Sequence, residues 1–289
     1  MKGILLVGGK GTRLSPLTTA VNKHLLPIFD KPMIYYSLTT LMFTGVKDIL
    51  VVSSPKDFDS IQELLGDGKQ WGIHLEYLIQ KEPNGIAEIF RLLPEKFRST
   101  ELVLMLGDNF LYGMGLGSSL KELYSGKGAL AFAYEVSNPQ DYGVVVLDEK
   151  NKPVALVEKP TEKISNFAIP GLYFFDESVA EKALALEKSQ RGEFEITELL
   201  MSYLVQNNLR IKILERGVAW LDTGSATNLL AASEFVRVIE HRQGLKIGCP
   251  EEVALREGLI DLSQLSVLIE KMPFNDYQIY LKGIIYRGR

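Results

Sequence analysis

Short apolar runs rich in Val, Ile and Leu recur from the first residues onward, with longer mixed stretches between them. Ile4–Val7, Asp48–Ser53, His74–Ile79, Leu102–Leu106, Leu130–Val136, Tyr142–Leu147, Ile169–Phe175 and Leu209–Leu214 read as strands. Several are apolar at consecutive positions, the pattern of a strand covered on both faces. Between them, Pro32–Thr44, Asp57–Leu65 and Ala87–Pro94 carry apolar residues at helical spacing. Such alternation predicts an α/β fold around a mainly parallel sheet. Tyr142–Phe175 offers strands without helices, so antiparallel pieces are expected there. The last third changes character. Glu193–Gln206, Ala226–Arg242, Glu251–Glu257, Asp261–Lys271 and Phe274–Tyr286 read as helices, and Gly244 and Gly248-Cys249-Pro250 punctuate the junction. Residues 1–240 are therefore expected to form the α/β body and 241–289 a small helical appendage.

Of the 289 residues, 46% are hydrophobic, which leaves ample apolar surface for a core and excludes wholesale disorder. The formal net charge of −4 excludes a global basic field that would hold nucleic acid or an anionic membrane. No apolar run approaches the ~18 residues of a membrane span. The opening apolar run, Ile4–Val7, is too short for a signal peptide, and the lone Cys249 has no disulfide partner. A cytoplasmic protein is expected. Three scattered histidines show no zinc-like spacing, and His74, His241 and Cys249 read as structural or inert.

The strongest local signal is Gly8-Gly9-Lys10-Gly11-Thr12-Arg13, directly after the first strand. Three glycines in four positions let backbone approach a ligand and aim N–H groups at it, which suits phosphate oxygens. Arg13 and Lys23 bring positive charge to the same loop. A dinucleotide fingerprint starting at Gly9 needs Gly or Ala where Leu14 stands, and Gly-Lys-Ser/Thr occurs nowhere, so two common phosphate-binding motifs are excluded. Asp108 follows the apolar run Leu102–Leu106, and Asp222 follows Trp220-Leu221. Both sit at strand ends, where open α/β sheets bind ligands. Two such carboxylates suit Mg²⁺ carried by a phosphate substrate.

Together Gly8-Gly9-x-Gly11-Thr12-Arg13-Leu14-x-Pro16-x-Thr18, Asn22-Lys23, Leu65-Gly66-Asp67-Gly68, Leu106-Gly107-Asp108-Asn109, Glu158-Lys159-Pro160, Arg191-Gly192-Glu193-x-Glu195-Ile196-Thr197 and Trp220-Leu221-Asp222-Thr223-Gly224 resemble the sugar nucleotidyltransferases, in order along nearly the whole chain. The resemblance is strongest to members that act on dTTP and glucose 1-phosphate. It implies a Rossmann-like mixed sheet, with Mg²⁺ held by Asp108 and Asp222. The implied reaction makes dTDP-glucose and pyrophosphate, as for dTDP-rhamnose synthesis.

By the same resemblance, Arg13, Lys23, Asp108 and Asp222 are the candidate catalytic residues. Gly8, Gly9, Gly11, Thr12, Arg13, Lys23, His24, Gln80 and Gly85 would bind the nucleotide. Asn109, Gly143, Glu158, Lys159 and Ile169 would bind the sugar phosphate. A homotetramer with feedback inhibition by a dTDP-sugar is implied as well. The amide of Gln80 matches part of the thymine edge, which uracil shares. A UTP-selective or other-hexose enzyme therefore stays open, as does a non-catalytic nucleotide-sugar sensor. Some positions depart from the family's usual residues: Val7 for Ala, Lys10 for Ser or Thr, His24 for Gln, Glu88 for Gln, and Pro170 for Thr.

Overall fold

A computed structural model describes residues 1–113, 120 and 122–287; the last two residues of the expected appendage lie outside it. The chain starts with β1 (Lys2–Leu6), makes a small ribbon from β2 (Pro27–Ile28) and β3 (Lys31–Pro32), then adds β4 (Asp48–Ser53) and β5 (His74–Ile79). Next come β6 (Leu102–Leu106), β7 (Asn109–Tyr112), β8 (Ala129–Glu135), β9 (Gly143–Leu147) and β10 (Pro153–Glu158). Four more follow: β11 (Phe167–Ala168), β12 (Leu172–Phe175), β13 (Leu209–Ile213) and β14 (Ala219–Asp222).

Ten strands form one sheet in the order β10-β9-β11-β8-β12-β6-β1-β4-β5, with β13 also paired to β8. β6, β1, β4 and β5 are mutually parallel. β12 runs antiparallel between β6 and β8, and the β9–β10 hairpin is antiparallel, where the helix-poor stretch led us to expect it. Side chains alternate across the sheet. Leu5 and Val7 enter one core with Ile34, Leu38 and Val51, while Ile4 and Leu6 enter another with Leu50, Phe90 and Leu104. Helices cover both faces, which explains the uninterrupted apolar runs.

Two expectations need correction. Ile169–Phe175 is not one strand: Pro170-Gly171 separates β11 from β12, and proline removes a ladder donor there. Ala87–Pro94 yields one helical turn, Glu88–Arg91, before Pro94 opens a second at Glu95–Arg98. Sequence reading missed β10, whose apolar residues are partly exposed at the sheet edge, and the short helix Val179–Leu184.

The helix Ala226–Gln243 crosses residue 240 without a break. Helices Pro250–Arg256, Leu262–Lys271 and Asp276–Arg287 follow. Their Val253, Leu265, Ile269, Leu281 and Ile284 join the same core as Leu5 and Ile34. Tyr277 Oη and Trp71 Nε1 donate to the two oxygens of buried Glu251, at 2.5 and 3.1 Å, tying this segment to the body. Cys249 is buried beside that pair, in keeping with an inert thiol.

Candidate active site

The glycine turn begins where β1 stops. Gly9 and Gly11 have φ of 105° and 59°, the left-handed region that glycine enters freely. The turn is tied from below: Thr18 Oγ1 donates to the Gly11 carbonyl at 2.8 Å, Asn22 Nδ2 to that of Val7 at 3.3 Å, and Leu14 is buried. Lys23 Nζ reaches to 4.0 Å from where a Gly9 Cβ would lie. The turn therefore presents backbone and an ammonium together.

Asp108 enters from β6. Its Oδ2 accepts from Lys23 Nζ at 2.5 Å and its Oδ1 from Asn109 Nδ2 at 3.0 Å. Burial raises an Asp108 carboxyl, but the Lys23 charge and these two hydrogen bonds outweigh it, and the group is held well below the usual carboxylate range. Asp222 arrives from β14, whose antiparallel register with β7 sets it opposite Asn109. Thr223 donates from N and Oγ1 to the Asp108 carbonyl, at 3.1 and 2.8 Å. The two aspartates, far apart in sequence, are thus fixed side by side.

The consequence is electrostatic. Burial and then the negative charge of Asp108 raise the Asp222 carboxyl, with Arg13 acting against them. The Arg13 guanidinium lies 2.7 Å from where a Gly224 Cβ would sit, so a side chain at 224 would push it aside. Tyr142 stands against Asp222 and packs on Trp220 with ring centroids 4.9 Å apart. Burial and Asp222 push its phenol up to about 12, so it stays protonated.

This pair passes a chemical test for a divalent cation. Two mutually repelling, half-buried carboxylates gain from one, and Mg²⁺ commonly takes one or two carboxylates plus substrate phosphates. Among the described residues no group of three or more His, Cys, Asp or Glu could hold a metal.

The expected base and phosphate ligands converge. One cavity of ≈ 420 Å³ is lined by Gly8, Gly9, Lys10, Asn22, Lys23 and Gln80, among others. A second of ≈ 420 Å³ shares Gly8, Gly9, Lys10 and Gln80 with it and adds Thr12, Gly85 and Glu193. Each falls in the size range of small-molecule sites, about 300–1,000 Å³. Gln80 Oε1 lies 3.6 Å from where a Gly8 Cβ would be, so turn and amide share a wall.

His24 is placed differently from its neighbours. It is 1% exposed and lies beneath the turn, with Nδ1 2.8 Å from Asn22 Oδ1. Its ring fills the space over Gly107, where a Cβ would come within 2.7 Å of Cδ2. Burial, then the Lys23 charge, lowers its pKa from 6.5 to about 3. The unfolded chain therefore binds a proton there that the folded chain does not between pH 6.5 and about 3. Stability is lost as pH falls through 6.5. His24→Gln is expected to flatten that acid limb between pH 6.5 and 5 in denaturant titrations; an unchanged slope rejects the burial account.

The sugar-side residues form a second group. Gly143 and Glu158 are register partners in the β9–β10 hairpin, and a Gly143 Cβ would meet Glu158 Oε2 at 2.9 Å. Thr197 Oγ1 donates to the same oxygen at 3.3 Å, and Arg191 Nη1 lies 3.6 Å from Oε1. Burial and Glu195 raise the Glu158 carboxyl. Ile169 N donates to the Gly143 carbonyl at 2.8 Å, which closes the group. Lys159 has φ of 43°, a strained value for a non-glycine residue, held by its N–H bond to the Tyr142 carbonyl at 3.0 Å.

Asn109 is largely committed to the scaffold. Its Oδ1 accepts from Gly171 N at 2.9 Å and Trp220 Nε1 at 2.7 Å, and its Nδ2 donates to Asp108. One amide hydrogen remains for a ligand. The Gly171 N–H, next to the unusual Pro170, is spent on this contact. Sequence reasoning missed Tyr142 and Asn22 as site residues; the Asn22 signal was its place beside Lys23 in the quoted pattern, whereas Tyr142 becomes visible only in the fold.

A glycine-rich turn, flanking cations and paired strand-end carboxylates have the chemistry that a site for phosphoryl-linked groups needs. The sequence profile of the nucleotidyl transferase family matches residues 2–238, and the chain belongs to that family. A glucose-1-phosphate thymidylyltransferase of Mycolicibacterium smegmatis is 48% identical over 287 residues, 99% of this chain and 100% of that one. One from Mycobacterium tuberculosis is 47% identical over the full length of both. A Bacillus anthracis crystal structure bearing the same name, in complex with a sucrose, superposes with a TM-score of 0.75 at 31% identity, covering 82% of this chain and 95% of that one.

Proposed function

We propose that the chain transfers a thymidylyl group from dTTP to α-D-glucose 1-phosphate, giving dTDP-glucose and pyrophosphate. The observation that carries this reading is the cluster of Arg13, Asp108 and Asp222 with Lys23, which lines the same cavity as Gln80 and the glycine turn. The full-length thymidylyltransferase relatives support it.

In this reaction a sugar-phosphate oxygen attacks the α-phosphorus in line. The bond to the β-phosphate oxygen breaks, and pyrophosphate leaves with the electron pair. Both reactants are multiply anionic, so catalysis is mainly placement and charge neutralisation. Turn N–H groups and Lys23 hold the triphosphate. Arg13 stabilises the departing pyrophosphate. Lys159 grips the attacking phosphate, while Glu158 and the Gly143 backbone meet sugar hydroxyls. Asp108 and Asp222 would hold Mg²⁺, which supplies further neutralisation of phosphate oxygens. By resemblance the reading includes a cytoplasmic homotetramer under feedback inhibition by a dTDP-sugar.

The test is pyrophosphate release by purified protein across nucleotide and hexose 1-phosphate pairs. Preference for dTTP with glucose 1-phosphate is the expected result; preference for UTP or another hexose phosphate overturns the substrate assignment, and no release at all overturns the enzyme. Gln80→Ala is expected to lower the dTTP-over-dCTP ratio of kcat/KM by about tenfold, because a base edge loses its polar partner. An unchanged ratio removes Gln80 from base reading.

A further inference from the structure

We infer that Glu88 fixes which end of the Gln80 amide faces the base, and so makes the site select a pyrimidine carrying a ring N–H. This deepens the base-reading role proposed for Gln80 and rests on it. Gln80 Nε2 donates to Glu88 Oε2 at 2.7 Å and to the Gly85 carbonyl at 3.2 Å, which uses both of its hydrogens. Glu88 Oε1 accepts from Asn84 Nδ2 at 2.8 Å. Asn84 Oδ1 in turn accepts from Lys188 Nζ at 2.7 Å.

The polarity of this chain of contacts is forced by chemistry. An ammonium only donates, so the Asn84 oxygen must face Lys188 and its NH₂ must face Glu88. An ionised carboxylate only accepts, so the Gln80 NH₂ must face Glu88 too. Gly85 supplies a second acceptor on the same side. Reversing the Gln80 amide would set its oxygen against two acceptors. What remains is Oε1, which among the described residues takes no hydrogen bond and lies on the wall shared with Gly8.

A lone acceptor at that wall matches the N3–H of thymine or uracil. It opposes cytosine, whose N3 is itself an acceptor. Glu88 touches no substrate in this account; it is a positioning residue. Its effect is therefore expected in the choice of base, not in turnover at saturating dTTP.

The experiment measures kcat and KM for dTTP and dCTP, with glucose 1-phosphate, in wild type, Glu88→Met, Glu88→Gln and Glu88→Lys. Glu88→Met removes the acceptor, and the dTTP-over-dCTP ratio is expected to fall about tenfold, through KM, with the KM for glucose 1-phosphate unmoved. Glu88→Gln keeps a carbonyl oxygen for Gln80 and is expected to retain most of the preference. Glu88→Lys offers donors only and is expected to shift the ratio further toward dCTP than Glu88→Met. A ratio within twofold of wild type in whichever of the Met and Lys variants folds overturns the inference, as does equal loss in Glu88→Gln and Glu88→Met. A wild-type protein with no preference for dTTP over dCTP would instead sink the base-reading role of Gln80 itself.

Discussion

Asp108→Asn is expected to lower kcat by about a thousandfold, the scale of losing a charge that stabilises the transition state. The substitution keeps the shape of the side chain. It also keeps an oxygen for the Asn109 amide, and the Thr223 contacts to the backbone carbonyl of residue 108 are untouched. What disappears is the negative charge that the site holds ionised against burial. Lys23 loses its counter-ion, yet it lines the open cavity and can turn its ammonium to water. That escape avoids the several kcal/mol that a stranded buried charge would cost. Thermal unfolding should therefore move by only a few degrees while turnover collapses. Turnover within a few-fold of wild type at saturating dTTP and glucose 1-phosphate rejects the role; a collapse of both stability and turnover makes Asp108 structural.

Much of this site was legible in the chain, because its parts are local. The glycine turn, Arg13 and Lys23 lie within one loop, and their spacing alone implies backbone and charge around a phosphate. Asp108 was legible because an apolar run announces the strand that ends before it. Asp222 needed more: its neighbourhood with Asp108 depends on β14 pairing with β7, a short ladder outside the main sheet. His24 shows a related limit. The resemblance sets it against the nucleotide, whereas the short turn Lys23–Leu25 sends neighbouring side chains opposite ways, Lys23 to the cavity and His24 to the interior over Gly107. Asn109, a sugar ligand by resemblance, spends most of its hydrogen-bonding capacity on Gly171, Trp220 and Asp108. Partners that arrive from distant strands leave no mark in a local pattern.

The charges of the site also explain why its parts are coupled. Asp108 and Asp222 repel each other, and Arg13 and Lys23 offset that repulsion from two sides. Without substrate, the cations compensate the carboxylates. In the proposed reaction an entering triphosphate would meet the same cations, and the carboxylates would then be free to hold a divalent ion.

That exchange sets the expected result for Lys23→Ala. Losing the ammonium removes a cation from the triphosphate and leaves Asp108 beside Asp222 with less compensation. The kcat/KM for dTTP is expected to fall by about a hundredfold or more, while the KM for glucose 1-phosphate changes by only a few-fold. Because Lys23 and Asp108 form one ion pair, their losses are not independent. The Lys23→Ala/Asp108→Asn double variant is expected to lose much less than the product of the two single losses, since groups that act as a unit are non-additive. The check is a double-mutant cycle on kcat/KM for dTTP, with thermal unfolding run alongside. Losses that multiply show two independent contributions and reject the shared role, and a Lys23→Ala enzyme with near-normal kcat/KM removes Lys23 from the chemistry.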